Sequence, residues 1–422
     1  MTYSLLRKKP SGYRRAELHQ SADVYESCGN FDPEAANVSD LSDRPRERAT
    51  KRPLVRPRVD YSRDVWCILG LPFDSVVMTS TVENLRTTAL ANTRCFISTP
   101  NLNFVAMARG DAAFRQSVLA SDLSLVDGMP LIWVARLLGV PITERVSGAS
   151  VFERLAAHSG KALRVYFFGG PKGVAAKACE KLNESSTGLV GVGYDMPGYG
   201  SVESMSRDDT ISRINASDAD FVVVSLGAKK GQAWIEHNRE RLTAPLVSHM
   251  GAVVNFAAGS VQRAPVMWQR LGLEWLWRIK EEPTIWRRYA GDGVRLLGMM
   301  VTQVLPYAVS LRTRSKVDHD TATITCTTES QVGRIVLAGP WTHHNLDPLR
   351  AALTRCDTLC TRLQISLHRV DCVDSALIGL LLLAKGRYPA PGGLALEGAS
   401  PKVAAIFRRN GVGYLLKDQR PA

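Results

Sequence analysis

Four short runs constrain this chain most: Cys95-Phe96-Ile97-Ser98, Arg164-Val165-Tyr166-Phe167-Phe168, Phe221-Val222-Val223-Val224-Ser225-Leu226 and Pro245-Leu246-Val247-Ser248. Each is almost wholly apolar, rich in β-branched or aromatic residues, and separated from the next by amphipathic helical stretches. A strand that is apolar on both sides needs cover on both sides, which is the condition of a parallel sheet enclosed by helices. The stretch from Val65 to about Gly259 is therefore expected to be an α/β, Rossmann-like domain. In such sheets ligands bind beyond the carboxyl ends of the strands, where helix N-termini and bare backbone amides can hold phosphate. Three turns stand at those positions: Thr99-Pro100-Asn101, Phe168-Gly169-Gly170-Pro171-Lys172-Gly173 and Leu226-Gly227-Ala228-Lys229-Lys230-Gly231. None is a Walker loop or a G-x-G-x-x-G fingerprint, so plain strand-to-helix turns are the competing reading.

With 422 residues the chain exceeds what one hydrophobic core usually serves, and two or three domains are expected. The formal charge of +13 calls for an anionic partner, and its distribution narrows the choice. Residues 263 to 316 hold ten Lys/Arg against four acids, a net of +6 in one stretch. There Trp268, Leu271, Trp275, Leu276 and Ile279 recur at helical spacing with Arg270, Arg278 and Lys280 beside them. Such a basic aromatic helix suits the headgroup zone of an anionic leaflet, and an ordinary packed helix pair is its bland counterpart. The nearly uncharged run Leu296 to Leu311, at 16 residues, is too short for a confident membrane span. The organisation is expected to be a disordered tail over 1–62, the α/β domain over 63–262, a helical appendage over 263–316 and a second small βα domain over 317–422. The tail mixes charge, Ser and Pro; a basic nucleic-acid arm is disfavoured by its interspersed acids, and no nucleic acid is expected. Eight scattered cysteines with no paired spacing fit reduced thiols in the cytosol, and nothing marks a secretory signal.

Asp127 follows the apolar run Leu123-Ser124-Leu125-Val126 and precedes Gly128. A carboxylate there is placed to act as a general base, although a helix-capping Asp fits the same local pattern. The pair around Ala219, Asp218 and Asp220, precedes its strand and reads as a solvated loop, not a metal motif. The ordered blocks Thr99-Pro100-Asn101, Leu125-Val126-Asp127-Gly128-Met129, Glu144-Arg145-Val146-Ser147-Gly148, Phe167-Phe168-Gly169-Gly170, Ile214-Asn215-Ala216-Ser217, Leu226-Gly227-Ala228, Arg263-Ala264-Pro265, Arg270-Leu271-Gly272-Leu273-Glu274-Trp275-Leu276, Glu282-Pro283 and Arg287-Arg288-Tyr289 together resemble the WecG/TagA/CpsF glycosyltransferases, family 26, over about residues 70 to 305. The resemblance implies an inverting transferase that moves a hexose, N-acetylmannosamine or its uronic acid from UDP to a polyprenyl-diphosphate-linked saccharide in bacterial surface or exopolysaccharide synthesis. It implies no cofactor and no metal. It makes Asp127 the base, puts Thr99 in the substrate pocket and gives Arg145 the departing diphosphate, a task suited to a guanidinium fork. Asn101, Gly128, Gly169, Gly170, Gly227, Lys230 and Gln232 become substrate-binding candidates, and Arg270, Arg278, Arg287 and Arg288 candidates for contact with the membrane or the lipid diphosphate. Two departures stand out: Lys229-Lys230-Gly231-Gln232 replaces the family's Pro-Lys-Gln-Glu, and Asn255-Phe256 stands where Asp is common.

Beyond the hinge, Ile335-Val336-Leu337-Ala338-Gly339, Val370-Asp371-Cys372-Val373-Asp374-Ser375 with the apolar run to Leu383, and Gly392-Gly393-Leu394 to Val403 resemble a STAS domain over about 321 to 418. Ser375 matches the serine phosphorylated in regulatory members, which implies a protein partner or kinase; capping of the following helix is the structural alternative. The whole reads as a peripheral protein on the inner face of the plasma membrane, with a non-catalytic scaffold acting through the STAS-like unit as the rival.

Overall fold

A computed structural model describes residues 59–270, 272–313 and 321–416. The expected disordered tail lies, but for its last four residues, outside them. Residues 65–74 form an antiparallel hairpin of β1 (Val65–Ile68) and β2 (Leu71–Asp74). Six further strands, β3 (Cys95–Ser98), β4 (Leu123–Ser124), β5 (Leu163–Gly169), β6 (Leu189–Asp195), β7 (Phe221–Ser225) and β8 (Leu246–His249), make a parallel sheet in the order β4-β3-β8-β7-β5-β6. The double-sided burial expected from the apolar runs is visible residue by residue. Val165, Phe167, Phe221 and Val223 join one core layer, while Tyr166, Phe168, Val222 and Val224 join the layer on the other face. The fold is the α/β, Rossmann-like architecture read from the sequence.

A four-stranded sheet follows, ordered β12-β11-β10-β9 from β9 (Thr323–Glu329), β10 (Val332–Trp341), β11 (Arg362–Val373) and β12 (Leu394–Glu397). The helix Ser375–Arg387 carries Ala376 to Ala384 with every residue buried, as expected for a helix apolar all round. Two partners are needed to cover it. One is its own domain; the other is the hairpin β1–β2 and the helix Ala112–Leu119 of the first domain. The two domains thus share one continuous core, in which Ile68 and Phe73 of the hairpin sit with Leu380 and Leu381. Gly379 makes the close approach possible, because a Cβ there would lie 2.5 Å from the Val65 carbonyl oxygen.

The hairpin is also tied to the large sheet. Arg63 donates from Nε and Nη2 to the two Asp74 oxygens at 2.8 and 2.6 Å, and from Nη1 to Ser121 O at 3.0 Å. Asp74, 3% exposed, accepts the Ser124 N–H on β4 at 2.7 Å. Asp220 departs from the solvated-loop expectation: it is buried, and its carboxylate accepts the Arg164 N–H at 2.8 Å at the start of β5.

The helical run Pro283–Arg312 packs Met299, Val304, Tyr307 and Ala308 inward while Trp286, Val294, Leu297, Val301, Leu305 and Val309 stay exposed. A π-helical segment, Met300–Val304, sits in the middle of the run.

Replacing Gly379 with Val should cost about 1–3 kcal/mol of stability, since the added side chain meets backbone that cannot rotate away. Urea denaturation would measure this; wild-type stability in the variant would mean that the helix is not seated against Val65.

Candidate active site

The rim above β3, β4 and β8 is built by three stitched loops. The Asp127 N–H donates to Pro100 O at 3.1 Å, which binds the loop after β4 to the loop after β3. The Val146 N–H donates to Val126 O at 3.0 Å and brings in the segment carrying Arg145. Gly148 then lies beside Thr99 and Met250, close enough that a Cβ would sit 3.3 Å from Thr99 Cγ2. Thr99, Asp127 and Arg145 therefore converge, with Gly148 packed between them.

Asp127 keeps some contact with solvent but is packed round by protein, and its carboxyl is pushed up to about 6. Burial is the main cause and Glu274 adds to it, while Arg145, Arg278 and the Gly148 N–H oppose it. A carboxylate of that basicity is ionised at neutral pH yet accepts a proton far more readily than an exposed Asp.

Arg145 does not stand free. Its Nη1 donates to Glu274 Oε2 at 2.6 Å, both side chains being largely buried. Arg263 lies 3.9 Å from the other oxygen of Glu274 and also pairs with Glu153. The guanidinium carbons of Arg263 and Arg278 lie 5.9 and 5.8 Å from the centre of the Phe256 ring. Glu274, Arg263 and Phe256 received no role from the sequence, although each lies within or beside a quoted motif; what was missing was the long-range pairing. Among the described residues no three His, Cys, Asp or Glu side chains converge as a metal site.

The other candidates divide. Gly227 begins the helix Ala228–Asn238 with open space where a side chain would stand, and Gly128 precedes the helix Met129–Leu137 at φ +155°. Gly169 and Gly170 both have positive φ and pass close to Leu226 and Val254, so packing alone accounts for glycine there. Asn101 caps its helix, accepting the Phe104 N–H at 3.2 Å. Lys230 points to the Gly200 carbonyl at 2.9 Å. Gln232 is corrected: it is 0% exposed, and its amide donates to Ser98 Oγ at 3.0 Å inside the core, so it does not reach the rim. Arg278 is turned inward toward Asp127 and Phe256, away from the membrane role; Arg287 and Arg288 are exposed, and the side chain of Arg270 lies outside the described residues. Ser375 is 4% exposed and faces a cavity of about 420 Å³ at the seam between the domains, lined also by Trp66, Tyr307, His343 and Asp374. The helix cap is Asp374, whose Oδ1 accepts the Ala376 and Leu377 N–H groups, and not Ser375.

An α/β sheet with a basic carboxylate among arginines at its carboxyl rim has the layout of a group-transfer enzyme acting on a phosphate-bearing substrate. Residues 66–309, more than half of the chain, match the family described as "Glycosyl transferase WecG/TagA/CpsF family", and residues 324–417 match "Mlab, STAS domain". The chain belongs to the WecG/TagA/CpsF glycosyl transferases and carries a C-terminal STAS domain. A Bacillus spizizenii protein named N-acetylglucosaminyldiphosphoundecaprenol N-acetyl-beta-D-mannosaminyltransferase is 29% identical over 220 residues, covering 52% of this chain and 84% of that protein. The C-terminal region is similar to two solved structures of the anti-sigma factor antagonist SpoIIAA. For the unphosphorylated form the identity is 23% and the TM-score 0.21, covering 22% of this chain and 85% of that one; for the phosphorylated form the values are 22%, 0.20, 22% and 88%.

A carboxyl whose folded-state pKa lies above its unfolded value favours folding below the unfolded value, and that contribution is lost as pH rises through the folded one. Asp127 therefore destabilises the fold at neutral pH. Asp127→Asn should be about 1–2 kcal/mol more stable than wild type at pH 7.5, with the gap closing near pH 4. Thermal melts at both pH values check this; equal stability throughout would remove the case for a perturbed carboxyl.

Proposed function

We propose that the chain is an inverting transferase that moves a hexose or N-acetylmannosamine-type sugar from a UDP donor to a polyprenyl-diphosphate-linked saccharide, in bacterial surface or exopolysaccharide synthesis. The observation that carries the proposal is the Asp127 carboxyl, raised to about 6, beside Arg145 and Arg278. Asp127 takes the proton of the acceptor hydroxyl as that oxygen attacks the anomeric carbon. The bond from that carbon to the UDP oxygen breaks on the opposite face, and its electron pair leaves on the diphosphate. Arg145 and Arg278 meet the growing charge, a role filled here by guanidinium and not by a metal. Glu274 holds Arg145 in place and keeps Asp127 basic. The named activity of the Bacillus spizizenii relative supports the choice of lipid-linked acceptor.

The membrane part of the proposal rests on the exposed stripe Val294, Leu297, Val301, Leu305 and Val309, flanked by Arg287, Arg288 and Arg295. Pro283–Arg312, at 30 residues, is longer than the sequence run implied, and length alone would let it cross a bilayer. Its opposite face, however, packs Tyr307 and Ala308 into the protein, which favours a helix lying in the interface on a cytoplasmic surface.

Incubation with UDP-sugars and a polyprenyl-diphosphate-linked acceptor should release UDP, with at least a hundredfold loss in Asp127→Asn. In wild type the rate should fall as pH drops below about 6, and Glu274→Gln should move that limb to lower pH, because a charge that raises the Asp127 pKa is gone. Undiminished turnover in Asp127→Asn would refute the catalytic assignment. For the membrane, flotation with vesicles containing anionic lipid should fail when Leu297, Val301 and Leu305 are changed to Asp, and should weaken when Arg287 and Arg288 become Glu. Unchanged flotation in both would leave the stripe without this role.

A further inference from the structure

We propose that His249 determines donor-sugar specificity, its Nδ1 accepting a hydrogen bond from a hydroxyl or amide N–H of the transferred sugar and disfavouring a sugar that presents a carboxylate there. This rests on the functional reading above and deepens it. His249 ends β8, which lies between β3 and β7 in the sheet. Its Nε2 lies 2.6 Å from the carbonyl oxygen of Leu226, in the turn that opens at Gly227 into the next helix. A carbonyl only accepts, so Nε2 carries the hydrogen and Nδ1 carries the lone pair. Burial holds the imidazole below its usual pKa, which keeps it neutral.

The surroundings leave one side of the ring for a ligand. The Cδ2 edge is filled by Gly231: a Cβ there would collide with Cδ2, which explains a glycine inside the helix Ala228–Asn238. The Nε2 corner is taken by Leu226 O and Gly251. Phe104, in the first turn of the helix that Asn101 caps, lies with its ring centre 6.1 Å away. Nδ1, on the opposite edge from Gly231, makes no hydrogen bond among the described residues, although the residue is 93% buried. His249 ends β8 at the carboxyl edge of the sheet beside β3, whose end leads into Thr99, so the residue stands on the same rim as Thr99, while its neighbour Met250 packs on the other face against Gly148. An acceptor without a protein partner rewards a ligand O–H or N–H and is opposed by a carboxylate, which brings only lone pairs.

The test is calorimetric titration of the full chain with UDP, a UDP-N-acetylhexosamine and a UDP-hexuronate. Wild type should bind the neutral sugar nucleotide at least tenfold more tightly than the hexuronate. His249→Ala should lose about tenfold for the neutral sugar nucleotide while keeping its affinity for UDP within twofold. His249→Asn, whose amide can offer an oxygen near the Nδ1 position, should recover most of the loss, and His249→Gln, which reaches toward Nε2, should not. If His249→Ala proves unstable, the Asn and Gln pair carries the comparison. Variants that bind all three ligands as wild type does, or that lose UDP and UDP-sugar alike, would overturn the assignment of His249. No binding of UDP by wild type would instead overturn the transferase reading, and this proposal with it.

Discussion

The buried pair of Arg63 and Asp74 is where the structure holds together. Asp74 is fully engaged, with two bonds from one guanidinium and one from the Ser124 N–H on β4. A buried pair is weak evidence of net stabilisation, but losing one member strands the other charge, at about 3–5 kcal/mol. Its location matters more than its sum. Ser124 is three residues before Asp127, so the hairpin that buries Asp74 also fixes the loop of the proposed base. The same hairpin offers the Val65 backbone to the helix Ser375–Arg387. The loop of the proposed base and the STAS domain thus both lean on one two-stranded support.

Above that support the site works by keeping charges in tension. Asp127 would be more comfortable with its arginines alone; Glu274 takes up Arg145 and adds a negative field of its own. The outcome is a carboxyl near 6, at some expense to the fold. Glu274 arrives from the helix Glu274–Glu281, outside the sheet that hosts the proposed base. Appendage and sheet complete the site together.

The strands were legible because both faces of the sheet are covered, leaving no polar alternation to blur the runs at 95–98, 164–168 and 221–226. The position of Asp127 at the sheet's rim was legible because it follows such a run directly. Pairings were not: Arg145 and Glu274 are separated by 129 positions, and nothing local in either stretch names the other. Local pattern also misjudged direction. Gln232 and Gly231 are neighbours on one helix, yet Gln232 turns into the core toward Ser98 while Gly231 makes room for His249. A sequence shows a missing side chain at 231; only the packing shows an imidazole in the space it would occupy. Arg278 was grouped with Arg287 and Arg288 by composition, and separated from them by the turn at Pro283–Ile285. The all-apolar helix after Ser375 signalled burial on every side, but the second covering surface belongs to the transferase domain.

That second surface also encloses Ser375. With the domains docked it lies inside the seam, beside an Asp374 carboxylate already holding the Ala376, Leu377 and His343 N–H groups. A phosphate there would put a dianion beside that carboxylate, in a cavity that His343 and His344 also line. Tyr307 and Leu311, from the helix whose other face carries the exposed apolar stripe, line the same cavity. The helix that carries the exposed stripe and the hairpin next to the Asp127 loop thus both pack against the STAS domain.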